Sequence, residues 1–91
     1  MNKQKYLKLI TPAMDLVLKK DQDYNSVVTR EQYFPFGHRS HVQMIYVKGT
    51  RLVNLAESGD KPNFESVRDT VLDLINYCVF YLEYLEETNG K

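Results

Sequence analysis

The sequence predicts an all-α fold: three main helices, one long ordered aromatic loop between the first two, and completion of the core by oligomerisation. Three observations carry this. The stretch from Phe64 to Glu87 is the longest uninterrupted periodic run in the chain. Its apolar positions Val67, Val71, Leu74, Ile75, Cys78, Leu82 and Leu85 recur at spacings of three and four, the mark of a helix burying one stripe. Two shorter stretches, 3–20 and 41–57, show the same period. The chain of 91 residues is short enough to be one domain, 1–91, with helices over 3–20, 41–57 and 64–87 and a loop over 21–40.

Within 3–20, Tyr6, Ile10, Ala13 and Val17 fall on one line, with Leu7, Met14 and Leu18 beside it. Thr11 and Pro12 interrupt, but the apolar phase survives across them, which predicts a continuous helix kinked at the proline. The segment 21–40 is polar at first and then carries Tyr33, Phe34, Pro35, Phe36 and Gly37. The proline and glycine exclude a regular helix there, and Val27, Val28 and Thr29 suit a short extended piece. Three aromatics within four residues require the loop to fold back over the domain.

Ser40 suits the N-cap of the second helix, whose expected buried stripe is Val42, Ile45, Gly49, Leu52, Val53 and Ala56. Gly49 costs about 1 kcal/mol relative to alanine in mid-helix, which suggests close approach of another backbone. Gly59 ends this helix and Asn63 caps the third. Tyr77, Phe80, Tyr81 and Tyr84 lie partly outside the main stripe of the third helix, where an aromatic band predicts a partner surface, most simply a second copy of the chain.

Composition narrows the function classes. The 12 basic and 12 acidic residues cancel, which argues against non-specific binding to nucleic acid or a membrane surface. No window approaches a membrane span, and the first residues lack a signal core, so the expectation is a soluble cytoplasmic protein. Cys78 is the single cysteine and reads as a small apolar filler.

Two constellations stand out. Glu65, Asp69 and Asp73, with Asn76, form a polar column on the third helix. Like charges four apart cost roughly 0.2–0.5 kcal/mol per pair, so a positive group is expected to face them. That group is a basic side chain such as Lys48, Arg51 or Arg68, a magnesium ion shared by Glu65, Asp69 and Asp73, or both. The second constellation is basic: Lys48 and Arg51 share a face of the second helix, with His38, Arg39 and His41 at its start. Beside the aromatic loop this combination suits a nucleotide, with the base stacked on Tyr24, Tyr33, Phe34 or Phe36 and phosphates held by basic groups. No nucleophile is spaced beside the histidines, and no phosphate loop or cysteine-based zinc motif is present, so no catalytic residue is assigned.

The ordered set Lys20-x-x-Asp23-Tyr24, Phe36-Gly37, Lys48-x-x-Arg51-Leu52 and Pro62-Asn63-x-Glu65-Ser66-x-x-Asp69-Thr70-x-x-Asp73-Leu74-x-Asn76-Tyr77 resembles the phage and bacterial nucleotide-modification-associated domain family. The resemblance spans roughly residues 14 to 85. Asn25 stands where that family favours glycine; asparagine tolerates the left-handed conformation. The resemblance implies a small helical protein linked to phage nucleotide metabolism. The last segment is also loosely similar to the MazG-type nucleoside-triphosphate pyrophosphohydrolases, but it lacks their upstream Glu-x-x-Glu.

The expectation is therefore a non-catalytic, homo-oligomeric protein that sequesters a nucleotide-derived small molecule without a cofactor. Its location is the cytoplasm, that of the host cell if a phage encodes it. Lys48, Arg51, His38, Arg39 and His41 would hold phosphate, and Asp69 and Asp73 would orient them. The alternatives are a magnesium-dependent nucleotide pyrophosphohydrolase or nucleotide-modifying enzyme, and a protein-interaction module.

Overall fold

A computed structural model describes residues 1–24, 30–57 and 64–89, apart from the side chains of 21–24, 64, 65 and 89. Four helices follow one another: α1 (Lys3–Tyr24), α2 (Arg30–Tyr33), α3 (His38–Glu57) and α4 (Phe64–Asn89). All regular structure among the described residues is helical, so the all-α expectation holds. No helix among them is long and apolar enough to cross a membrane.

α1 starts at a side-chain cap: Asn2 Oδ1 accepts the Lys5 backbone N–H at 2.8 Å. It passes through Pro12 unbroken. Proline removes one backbone donor, and Thr11 Oγ1 donates to the Leu7 carbonyl at 2.5 Å just before it. The helix continues to Tyr24, so it takes in the first part of the segment expected to be loop. α2 adds one further turn within that segment, and 27–29 lie outside the described residues, as do Gly59 and Asn63.

Gly37 sets the entry into α3. Its N–H reaches the Phe34 carbonyl at 3.1 Å, its φ is +56°, and its own carbonyl accepts the first bond of α3, from His41 N–H. Ser40 is therefore not the N-cap. It lies inside the first turn and reaches back, its Oγ accepting the Phe36 N–H at 2.9 Å.

α4 lies between its neighbours. α3 packs on one side and α1 on another, and among the described residues α1 and α3 do not pack on each other. The buried apolar side chains are few: Ala13, Phe34 and Leu72. His41, Thr70 and Asn76 are buried with them. Ala13, 1% exposed, lies where α1 meets α4, and there Asn76 Nδ2 donates to the Ala13 carbonyl at 3.0 Å.

The packing faces differ from those expected. No member of the apolar stripe of α4 is buried: Val71, Cys78 and Leu82 are exposed and Val67, Leu74, Ile75 and Leu85 half-buried. Tyr77, Phe80, Tyr81 and Tyr84, expected to face a partner, are half-buried and reach instead to Phe34, His38 and His41. α3 is rotated similarly: Val42, Val53 and Ala56 are exposed, while His41, Ile45, Lys48, Leu52 and Leu55 line its inner side. The physical reason is that tyrosine, histidine and lysine carry large apolar bodies under their polar tips, so a face can pack well while reading as mixed in hydropathy. Nothing approaches Gly49 within 4 Å of where a Cβ would stand, so no second backbone uses its lack of a side chain.

Candidate functional site

The inner faces of α3 and α4, closed at one end by α2 and the turn at Gly37, form an aromatic cleft of about 240 Å³. His41 is its centre. The ring is 3% exposed and lies between Phe34, stacked at 4.0 Å and 11°, and Tyr81, at 5.6 Å and 15°. Tyr84 adds a tilted contact at 5.1 Å. The His41 Nδ1 atom is buried and has no hydrogen-bond partner. A buried, unpaired polar atom costs roughly 1–3 kcal/mol, and this one stands in the wall of the cleft. Burial, then the nearby Arg30 guanidinium, hold the His41 pKa below its ordinary value near 6.5, with Glu83 opposing in part. The ring is thus neutral at pH 7, with one nitrogen to donate and one to accept.

Arg30 and Glu83 frame the mouth. The Arg30 guanidinium sits 3.9 Å over the Phe80 ring, and its Nε lies 3.8 Å from Glu83 Oε1. The half-exposed ion pair is weak, whereas the stacked guanidinium is held by the ring. Glu31 and Glu87 also line the cleft, which makes it acidic overall. Gly37 is required on two counts: its φ lies in the left-handed region, and a Cβ would stand 2.7 Å from the Tyr84 hydroxyl. At the start of α3, Tyr81 Oη and His38 Nδ1 share a hydrogen bond of 2.5 Å whose direction follows the His38 tautomer.

Two turns along α3 from His41, Lys48 Nζ lies 3.5 Å from Asp73 Oδ2 and 5.8 Å from the Tyr77 ring centroid. A basic group thus faces the acidic column at Asp73. Tyr77 bridges the two parts of the site, since Phe34 meets it edge-on at 6.2 Å. Burial, then Tyr33 and Asp73, push the Tyr77 phenol pKa up, so it stays protonated.

The predicted residues are distributed unevenly. His41 and Phe34 come together in the cleft wall, His38 meets Tyr81 beside it, and Lys48 meets Asp73. Tyr33 and Phe36 are exposed at the rim, Tyr33 edge-on to Phe34 at 5.6 Å. Arg39, Arg51 and Asp69 are exposed on the helix surfaces, and among the described residues Arg51 pairs with neither Asp69 nor Asp73. The side chains of Tyr24 and Glu65 lie outside the described residues, and among those described no three His, Cys, Asp or Glu side chains converge on a metal position. Arg30, Glu83 and Tyr84 were not anticipated as site residues. Their signal was the aromatic ladder Tyr77, Phe80, Tyr81 and Tyr84, which points inward and carries Glu83 at its edge.

No curated protein and no solved structure matches this chain. The looser similarity to the MazG-type pyrophosphohydrolases is not supported. The model of one family, described as nucleotide modification associated domain 1, matches residues 20–85, which takes in α2, α3, most of α4 and every residue of the cleft except Glu87. By that match the chain belongs to the nucleotide modification associated domain 1 family.

Proposed function

We propose that this is a phage-type protein that binds a nucleotide-derived small molecule and sequesters it uncleaved, as a homo-oligomer in the host cytoplasm. A nucleotide second messenger of a host defence system is the kind of ligand meant. The observation that carries the reading is the buried, unpartnered Nδ1 of His41 in an aromatic cleft with a stacked arginine at its mouth. The family description, which concerns nucleotide modification, supports the ligand class.

Charge divides the labour within the site. The cleft holds three glutamates against one arginine, which disfavours phosphate there. It suits a base, whose ring N–H and amino groups donate to Glu83 or Glu87 and pair with His41 Nδ1. Phosphate belongs further along α3, about 10 Å from His41 at 1.5 Å per residue, where Lys48 and Arg51 lie one turn apart. Lys48 would exchange its long contact with Asp73 for phosphate oxygens, and Asp73 would keep it oriented. Tyr33 and Phe36 at the rim have open ring faces for stacking.

The test is calorimetric titration of the purified protein with mononucleotides and cyclic dinucleotides, with and without magnesium, followed by recovery of the ligand. One ligand should bind and return intact. His41→Leu, Lys48→Ala and Arg51→Ala should each weaken binding about tenfold or more while helical content is unchanged. Recovery of a product that needs magnesium and disappears in Asp69→Asn would make the protein a hydrolase instead. Absence of binding across the panel would leave the interaction-module reading in possession of the cleft.

A further inference from the structure

α4 has a third side, turned away from both α3 and α1. It carries the chain's longest apolar stripe: Val71, Leu74, Cys78, Leu82 and Leu85. Leu82 is 58% exposed, Val71 and Cys78 are exposed with it, and Leu74 and Leu85 are half-buried at the edge of the stripe. No charged residue falls on these positions.

The stripe is symmetric about Cys78. Val71 and Leu85 stand seven residues to either side of it, and Leu74 and Leu82 four. A second α4 laid antiparallel across the first, with the two-fold axis at Cys78, therefore sets Val71 against Leu85 and Leu74 against Leu82 in both directions, the self-complementary pattern a two-fold interface needs. Charge selects the direction. Arg68 and Glu86 flank the stripe on the same edge, eighteen residues apart, and are both exposed. Same-edge positions meet across an antiparallel pair, and Arg68 and Glu86 stand ten and eight residues from the axis, so each Arg68 comes within about 3 Å of the level of the other chain's Glu86, inside the reach of its side chain. A parallel pair would instead bring together the acidic ends of two helices, each carrying Glu83, Glu86 and Glu87.

We infer that the outer face of α4 is a homodimer interface, an antiparallel pairing of two α4 helices about a two-fold axis at Cys78, juxtaposing Val71 with Leu85 and Arg68 with Glu86. This goes beyond the ligand reading by assigning the face, the direction and the axis. It rests on the homo-oligomer of that reading, and its experiment reads association alone, so its failure is distinguishable from a failure of ligand binding.

The experiment is sedimentation of the full chain with non-reducing electrophoresis after mild oxidation. The chain should sediment as a dimer or a higher even-numbered assembly, and oxidation should link two chains through Cys78, the chain's only thiol. Leu82→Glu, at an exposed position, should keep its helical circular dichroism, raise the dissociation constant about tenfold or more, and abolish the cross-link. Arg68→Glu should weaken association, and Arg68→Glu with Glu86→Arg should restore it. A monomeric wild type, an assembly indifferent to Leu82→Glu, or a double charge swap without rescue would overturn the inference. Those outcomes would give the face to a different protein, to another surface or to a parallel pair, in that order.

Discussion

The inner and outer sides of α4 differ in chemistry and in exposure. The inner side turns Tyr77, Phe80, Tyr81 and Tyr84 onto α2 and α3, and with Phe34 and His41 they make a seam of rings in place of an aliphatic core. The outer side is aliphatic, with Val71, Cys78 and Leu82 exposed and Leu74 and Leu85 half-buried. Hydrophobicity alone would assign the two the other way round. The seam wins the interior because rings bring more contact area per residue than valine or leucine and still place a hydroxyl or imidazole where polarity is wanted. The price is a cleft with an unsatisfied nitrogen in it. A purely aliphatic interior would be drier and would have nothing to bind with.

The strongest way to break this contrast is to empty the seam. Phe34→Ala removes the ring stacked on His41 and should destabilise the protein by about 3–4 kcal/mol. Leu82→Ala on the outer side should change the monomer by less than about 0.5 kcal/mol. Denaturant titration of both variants, below the concentration at which the chain associates, measures the difference; equal losses would mean that the seam is not the core.

Next in size is the turn that closes the seam. Gly37→Ala places a Cβ in the left-handed region and against the Tyr84 hydroxyl, at a cost of about 1–3 kcal/mol. Thermal melting reads the loss. Pairing it with Tyr84→Phe, which removes the clashing oxygen, should recover part of it; the remainder is backbone strain.

Gly49→Ala should move the other way. Open space surrounds the position and the backbone is helical, so the variant should gain about 0.5–1 kcal/mol. A loss would reveal a close neighbour at that face.

The pH response is the most local effect. The His41 pKa is lowered in the folded state, so the unfolded chain takes up this proton first as pH falls. Its contribution to stability is complete above about 6.5 and is lost as pH drops from there through the lowered value. Chemical denaturation between pH 5 and 7.5 should show this slope in the wild type and a flatter one in His41→Leu.

Much of the secondary structure was legible in the residues. Period predicts the long helices, and the survival of apolar phase across Pro12 predicts the unbroken α1, whereas Ser40, expected as a cap, lies within α3. Part of the site was legible too: Lys48 was matched to the acidic column, and it meets Asp73. What could not be read was the rotation of α3 and α4 about their own axes. Periodicity says that a helix has an apolar side, not whether that side meets its own chain or another copy. The same gap hid Arg30 and Glu83, which are far apart in sequence and come together only once the ring seam fixes the angle of α4. Tyr33 and Phe36 show the converse, since aromatics in a loop are expected to tuck in and these stand at the rim.

The attachment of α1 has a consequence for how the chain gains and loses structure. Among the described residues α1 packs on α4 and not on α3, and the Asn76 amide ties it there to the Ala13 carbonyl across a separation of 63 residues. His41 and Tyr81, in the seam, are only 40 residues apart. Docking α1 therefore closes a longer loop for a thinner return. The α3 and α4 pair makes the natural cooperative unit, with α1 the last helix to lock and the first to open. Backbone amides of α1 should accordingly exchange with solvent sooner than those flanking His41 and Tyr81, giving the two ends of the sequence unequal protection within one small fold.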